Sequence, residues 1–591
     1  SSSSYLPRIF LLLTSIVTSL TMDQLTLQFQ NLSVLENYEL LTRTIEPQQP
    51  HTRSDPGIEF HKKTVLHAMA KHLYTYEIEE ILNMQRSDPS QLDIVYADFH
   101  EGNVPYQHIN KDATYYKALN YVYDRFKPPQ TYRPVHFSDV QYQYNFEWAS
   151  NAEAPFTTEE HFRSQAPRRE HGNIYTFGNM KTLVFNESRR FLHEIKHGAQ
   201  FDKYLWHIQL HNRTSVTKIG DPLKIRSVSG FPRPPNIAWI MFLWPYLAWL
   251  KSSDPITSPM LWKFETNLGG WLRLNYLLFR QHIKFSIIML DKSRFDKYYY
   301  FSIQDDIDEM FYTFIDFDHG YLPTHVYPSE RQWSQTKADR LRRLYRYLCY
   351  SFRNTPTATP DGKLYRRRFA GMPSGIYNVQ LYDTVYFAIT DTCVLLHMGY
   401  QLEQILLRKG QGDDIITQLA VIVPPNEHQA FLTEYSRIDN QLFGSTVKPE
   451  KSDIKNGPQG AKVLGYVNNN GIPVRDTVEL LSNLYHTKAR RISESISMSI
   501  AVGIAYASFY TDKRVYRICK DVFEYYASQG FTLSETWLTR YYAYTGLDFS
   551  NLDLSHFPTP QDIQQNLFSF DFQQAKNDEK FFPTTHFSAC F

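Results

Sequence analysis

Ile405-Leu-Leu-Arg-Lys-Gly-Gln411-Gly412-Asp413-Asp414-Ile415-Ile-Thr-Gln-Leu-Ala-Val-Ile-Val423 reads as two strand-like runs around an acidic tip. Short runs of β-branched and other apolar residues bounded by Gly and Asp are the usual signature of a hairpin. The pattern therefore predicts strands over 405–411 and 415–423, with Asp413 and Asp414 at the turn. Upstream, Phe285 to Leu290 is an apolar run ending in Asp291, which predicts a buried strand with a carboxylate at its exit. Gly-Asp-Asp alone is a weak signal, expected by chance in roughly one chain in ten of this length.

Further segments give it weight by their order. Lys224-Ile-Arg226-Ser-Val-Ser-Gly-Phe-Pro232 comes first, then Asp291-Lys-Ser-Arg-Phe-Asp296, Gly371-Met-Pro-Ser-Gly375, the Gly412 turn, and Lys462-Val-Leu-Gly-Tyr466. Between them, Asp305 to Tyr312 and Ala338 to Ser351 have helical spacing, the latter closed by the turn Pro360-Asp361-Gly362. The apolar run Ile237 to Leu250 contains Pro245 and falls short of the roughly 20 residues that span a bilayer, so it predicts a buried helix. Residues 22 to about 95 read as helical and charged, and the chain after Gly471 as mostly helical, with Arg490 to Tyr510 and Val515 to Gln529 clearest. Pro558 and Pro560 open a looser tail.

With 591 residues the chain is too long for one ordinary core, so subdomains sharing an interior are expected. Aromatics make up 15%, which excludes a disordered chain. The 62 Lys and Arg nearly balance 61 Asp and Glu, so any nucleic-acid path must be a local basic channel rather than a global field. Cys349, Cys393, Cys519 and Cys590 form no metal-ligand spacing and no disulfide framework, which reads as intracellular. Arg8 and the apolar run to Leu20 imitate a signal peptide, but residues 1–21 read better as leader or non-native sequence ahead of Met22.

On these segments the chain resembles the partitivirus RNA-directed RNA polymerases. Asp291 to Asp296 looks like palm motif A, Gly371 to Gly375 like motif B, Gly412 to Asp414 like motif C, and Lys224 to Arg226 like motif F of the fingers. Asp383-Thr384, the phrase Leu464 to Arg475 and the stretch His486 to Arg491 are similar to partitivirus sequences in particular. The resemblance implies an α+β closed right hand: fingers, a palm built on a small antiparallel sheet, and a helical thumb. Its subdomains would be an extension over 22–95, fingers over 96–280 and 321–368, palm over 281–320 and 369–470, and thumb with tail over 471–591. It also implies synthesis on an RNA template from nucleoside triphosphates, transcribing and replicating a double-stranded RNA genome. The work would be done in a viral particle in host cytoplasm, with a capsid-protein contact and no membrane.

Nucleotidyl transfer uses two divalent cations about 3.5–4 Å apart. Mg²⁺, for which Mn²⁺ can substitute, is a hard ion suited to carboxylates, phosphates and water. The resemblance implies Asp291 and Asp413 as principal ligands, with Asp414 a neighbouring ligand or a group that tunes the site's charge. It places Lys224 and Arg226 over the incoming triphosphate, since alternate residues of extended chain point to one side. Ser374 and Gly375 would let backbone approach nucleotide or template, with an ordinary turn as the alternative. Asp296 and Asp383 would read the ribose 2′-hydroxyl; many related polymerases carry Asn at the second position. Lys451 would act in motif D, with Lys448 and Lys455 as competitors. Lys292 stands where related sequences more often have an aromatic residue.

Two patterns compete with this constellation. His193-Glu194-Ile195-Lys196-His197 matches HExxH, but the Gly-x-x-His extension and a third ligand helix are missing, so a charged helix is the better reading than a zinc peptidase site. Asp305, Asp306, Asp308 and Glu309 occupy successive helical positions that cannot converge on one metal and predict a solvated face. A noncatalytic RNA-binding particle component is a further alternative, against which the Asp291, Asp413 and Asp414 set argues.

Overall fold

Described in this computed structural model are residues 36–48, 57–167, 174–281, 284–324, 326–328, 332–489, 491–542 and 553–570. The leader reading of 1–21, Arg491's neighbour at 490 and Cys590 fall outside them. The amino-terminal region runs from strand β1 (Tyr38–Thr44) through helices α1 (Gly57–His72) and α2 (Thr75–Leu82) to strand β2 (Met84–Arg86). The helical reading of 22 to about 95 holds for α1 and α2 and is corrected at β1 and β2, which are strands because partners far along the chain complete them.

Next come α3 (Ala113–Phe126), α4 (Phe177–Lys196), β3 (Ile208–Thr214), β4 (Val216–Lys218), β5 (Ile225–Gly230) and α5 (Arg233–Ser252). α5 is apolar on every side and buried on nearly every side, including Trp239 and Trp244. Burying each such side chain contributes on the order of 1.5–3 kcal/mol, which makes α5 the spine of the largest core. No helix among the described residues is long and apolar enough to cross a membrane.

Two strands, β6 (Ser286–Met289) and β7 (Lys292–Ser293), bracket Asp291, followed by α6 (Phe301–Phe314), α7 (Gln335–Asn354), β8 (Thr357–Ala358), β9 (Lys363–Arg367) and α8 (Val379–His397). β1, β9, β8, β3 and β5 form one five-stranded sheet in that order, all antiparallel except β3 against β8. Strands from three distant chain regions thus share one sheet.

β10 (Ile405–Gln411) and β11 (Asp414–Leu419) follow, then α9 (His428–Phe443), β12 (Thr446–Val447) and β13 (Asp453–Lys455). The second sheet has the order β10-β11-β6-β13 and is antiparallel throughout. β6 is central and fully buried, as its apolar run requires. β12 pairs separately with β7. The chain then forms a small sheet of β14 (Lys462–Val463), β15 (Tyr466–Asn469) and β16 (Ile472–Val474), and helices α10 (Thr477–Tyr485), α11 (Glu494–Ser508) and α12 (Lys513–Ala527).

α1 and α2 pack into the core of α10 to α12, through Val65, Met69 and Ile81 against Leu481, Val502 and Val522. β2, next in the chain, pairs with β4 instead. Arg86 joins both regions with one side chain, donating to the Thr214 carbonyl at 3.2 Å and to Asn483 Oδ1 at 3.2 Å. The amino-terminal segment therefore bridges the carboxy-terminal helices to the β3–β5 region.

The solvated-face expectation for the acidic run on α6 is also corrected. Asp306 is buried against Tyr115 Oη at 2.5 Å and Lys111 at 2.9 Å. Glu309 pairs with Arg346 at 2.6 Å, Asp305 pairs with Arg353, and Asp308 accepts from Gln304 at 2.6 Å. Each carboxylate faces a different partner, so none of the run is free to gather a metal.

Candidate active site

The second sheet sets the geometry. Gln411 pairs with Asp414 at the end of β10–β11, leaving Gly412 and Asp413 to make the turn, with Gly412 at φ +71. This left-handed conformation suits glycine. β11 runs antiparallel to β6 with Ile416 opposite Met289. Continuing that ladder two residues past Met289 leads to Asp291 across from Asp414. On the other edge of β6, Met289 faces Asp453, and beyond that pair the chain turns through 448–452 beside Asp291. The ends of four strands thus bring Asp291, Asp413, Asp414 and the Lys448–Lys451 turn together.

Side chains and backbone hold these ends in place. Thr384 Oγ1 of α8 accepts the Gly412 N–H at 2.9 Å. The Asp291 N–H donates to Ser452 Oγ at 2.9 Å, and the Lys448 N–H donates to the Asp291 carbonyl at 2.9 Å. Of the competing lysines, Lys455 is engaged with Asp453 at 3.3 Å. Lys451 is exposed beside the strand exit.

Asp291 and Asp413 are both solvent-exposed. The surrounding protein raises the Asp413 carboxyl above its ordinary range, the Arg226 guanidinium opposes that, and the Asp291 charge adds to it. Asp414 is pushed up to about 6, first by burial. Its Oδ2 accepts the Leu464 N–H at 2.7 Å, so this carboxylate is turned toward the 462–466 segment, where Leu464 has φ +55. Among the described residues no three His, Cys, Asp or Glu side chains converge on a common metal position. Two carboxylates are enough for Mg²⁺, which usually keeps water and takes substrate phosphates as its other ligands. The mutual repulsion of Asp291, Asp413 and Asp414, only partly met by Arg226 and Lys462, is the charge pattern that a hard divalent cation relieves. The exposed carboxylates of Asp291 and Asp413 fit such an ion, with Asp414 beside them.

A second acidic pair lies alongside. Asp383 on buried α8 is pushed well above the usual carboxylate range by burial and by the Asp296 charge, and it hydrogen-bonds Asp296. A like charge beside a buried carboxyl disfavours its charged form. Asp413 raises both, and Arg226 lowers Asp296. Arg226 therefore faces the acidic cluster from β5. Lys224 stands just before that strand, exposed like Arg226, with Ile225 buried between them.

Ser374 and Gly375 lie against β5. Ser374 Oγ accepts the Ser229 N–H of β5 at 3.0 Å. A Cβ on Gly375 would lie 1.8 Å from the Ser229 carbonyl oxygen. Glycine is needed there because two backbones touch. The loop fastens the strand carrying Arg226 to α8, and the Met372 N–H fastens it to the Asp296 carbonyl at 2.7 Å.

Nothing in the local sequence marks Thr384 and Ser452 for these contacts; Thr384 is singled out only as the neighbour of Asp383. The HExxH segment ends α4, far from this cluster in the chain. Glu194 is held by Lys203 at 2.9 Å and by Tyr204, and His197 Nδ1 bonds the His193 carbonyl at 2.7 Å. A charged helix end accounts for it.

No family model matches the chain. It is similar to the RNA-directed RNA polymerase of White clover cryptic virus 1 (isolate Boccardo/2004), 35% identical over 576 residues covering 90% of this chain and 93% of that protein. It is also similar to the RNA-directed RNA polymerase of Atkinsonella hypoxylon virus (isolate 2H), 25% identical over 507 residues covering 76% of this chain and 73% of the relative.

Proposed function

Because the chain belongs to the partitivirus RNA-directed RNA polymerases, we propose that it transcribes and replicates a double-stranded RNA genome at the acidic end of the β10-β11-β6-β13 sheet. The observation that carries the assignment of the site is the meeting of Asp291 and Asp413 at one sheet end, opposite Arg226. The sheet is then the palm, the β3–β5 region belongs to the fingers, and α10 to α12 form the thumb. The bridge made by α1, α2 and Arg86 supports a closed hand.

Asp291 and Asp413 would hold two Mg²⁺ or Mn²⁺ ions, which supply charge stabilisation to the attacking 3′-oxygen and the departing pyrophosphate. Their own contribution is placement, since both ride on strand ends fixed by Thr384, Ser452 and Lys448. Arg226 and Lys224 neutralise the triphosphate as charge develops. Asp296 and Asp383, neighbouring buried carboxyls both raised above the usual carboxylate range, would be the polar groups that meet the 2′-hydroxyl. Ser374 and Gly375 act one step back, by holding β5 over the site. Lys451, exposed at the turn beside the Asp291 strand exit, would give a proton to the leaving pyrophosphate, with Lys448 of the same turn as its competitor.

RNA template, product duplex and nucleoside triphosphates are the partners this reading requires; a viral capsid protein and a particle in host cytoplasm complete it. Purified protein given template RNA, four ribonucleotides and Mg²⁺ should make template-complementary RNA, and omission of the template should abolish the product. RNA made equally well without template would reject template-directed synthesis.

A further inference from the structure

Directly after Asp291 the chain buries a lysine. The Lys292 side chain is 2% exposed and its Nζ lies 3.5 Å from Oδ1 of Asp439, which is 0% exposed. Thr390 Oγ1 takes a bond from the same Nζ at 3.3 Å, and the Phe387 ring lies 4.3 Å beneath it. Ser445 Oγ donates to the other Asp439 oxygen at 2.7 Å. Asp439 is on α9, which leads into β12, and β12 pairs with β7 so that Val447 lies opposite Lys292. The next residue, Lys448, bonds the Asp291 carbonyl. Lys292 and Asp291 are thus fastened to successive parts of one α9–β12 unit.

α9 also reaches the strand that leads to Asp413. Tyr435, one turn before Asp439, donates to Asp391 Oδ1 at 2.5 Å. Asp391 in turn pairs with Arg408 of β10 at 2.7 Å, with side chains 2% and 8% exposed. Two buried ion pairs, joined through α8 and α9, therefore connect the strand exit bearing Asp291 with the hairpin bearing Asp413, in addition to the β6–β11 ladder.

A buried ion pair is a poor stabiliser, since apolar residues of like volume often replace it without loss. What it supplies is a single seated geometry, whereas a methionine resting on Phe387 has many. Misplacing a catalytic group by about 1 Å can cost on the order of a hundredfold in rate. We propose that Lys292, through Asp439, is a positioning residue that sets the spacing of the Asp291 and Asp413 carboxylates. The inference rests on the catalytic reading of those two aspartates.

The test compares parent, Lys292→Met/Asp439→Leu, Asp439→Asn and Asp413→Asn on one primed RNA template, with thermal midpoints measured alongside. The double variant removes both charges together and should melt near the parent. Its kcat should fall tenfold or more, with KM for nucleotide within about twofold and the Mg²⁺ concentration for half-maximal rate raised. Asp439→Asn, which keeps volume and one acceptor, should show the same split more weakly. A stable double variant or Asp439→Asn with parental kcat and parental Mg²⁺ dependence overturns the inference while Asp413→Asn stays inactive. Parental activity in Asp413→Asn would overturn the catalytic reading itself, and the positioning role with it.

Discussion

Thr384 Oγ1 receives the Gly412 N–H at 2.9 Å, so the helix after the Gly371–Gly375 loop grips the turn that presents Asp413. Gly410 allows the close approach, because a Cβ there would meet Thr384 Cγ2 at 3.0 Å and Ile415 Cγ1 at 2.6 Å. Thr384→Val keeps the shape and removes the acceptor. The lost bond is worth about 1–2 kcal/mol, and kcat should fall roughly tenfold with little change in KM. An unchanged kcat in a well-folded variant would show that the turn holds itself.

Asp296→Ala should lower the preference for UTP over dUTP, because a site built to bond a hydroxyl discriminates through the groups left unpaired by the analogue. Asp383→Asn should be milder, since an amide keeps one acceptor and adds donors. The ratio of kcat/KM values on one primed template measures this. A parental ratio in an active Asp296→Ala variant would remove Asp296 from sugar reading.

Stability should carry the imprint of Asp308. Burial pushes this carboxyl up to about 7, against roughly 4 in an unfolded chain. Between those values the folded state holds a proton that the unfolded state has released, so this group makes stability fall as pH rises from about 4 to about 7, then level off. Asp308→Asn keeps an acceptor for the Gln304 bond and cannot ionise. Its urea midpoint should gain on the parent as pH rises from 5 to 8. A difference independent of pH would show that Asp308 ionises normally in the folded chain.

Local patterns made much of this molecule legible. The apolar 285–290 run, the two runs around Gly412 and the all-apolar 237–250 stretch need no distant partner to be recognised, and they became β6, β10, β11 and α5. What escaped depended on residues far away in the chain. The acidic run on α6 looks solvated until Lys111, Tyr115, Arg346 and Arg353 are brought against it. β1 looks like part of a helical extension because its partner β9 lies more than three hundred residues on. The need for glycine at 375 shows only when the Ser229 backbone is brought against it. Ordering of motifs pointed to the candidate site; the hydroxyls and glycines that brace it emerged only from the packing.

Asp291 and Asp413 are exposed carboxylates at strand ends, so replacing either by Asn removes charge and leaves the core untouched. Loss of several kcal/mol of cation-based stabilisation corresponds to a thousandfold or more in rate. The decisive measurement is elongation of one primed RNA template by parent, Asp291→Asn and Asp413→Asn protein of equal thermal stability, at saturating ribonucleotides and Mg²⁺. Loss of at least a thousandfold in each variant is the expected result. Near-parental elongation by either would contradict the placement of catalysis at this sheet end.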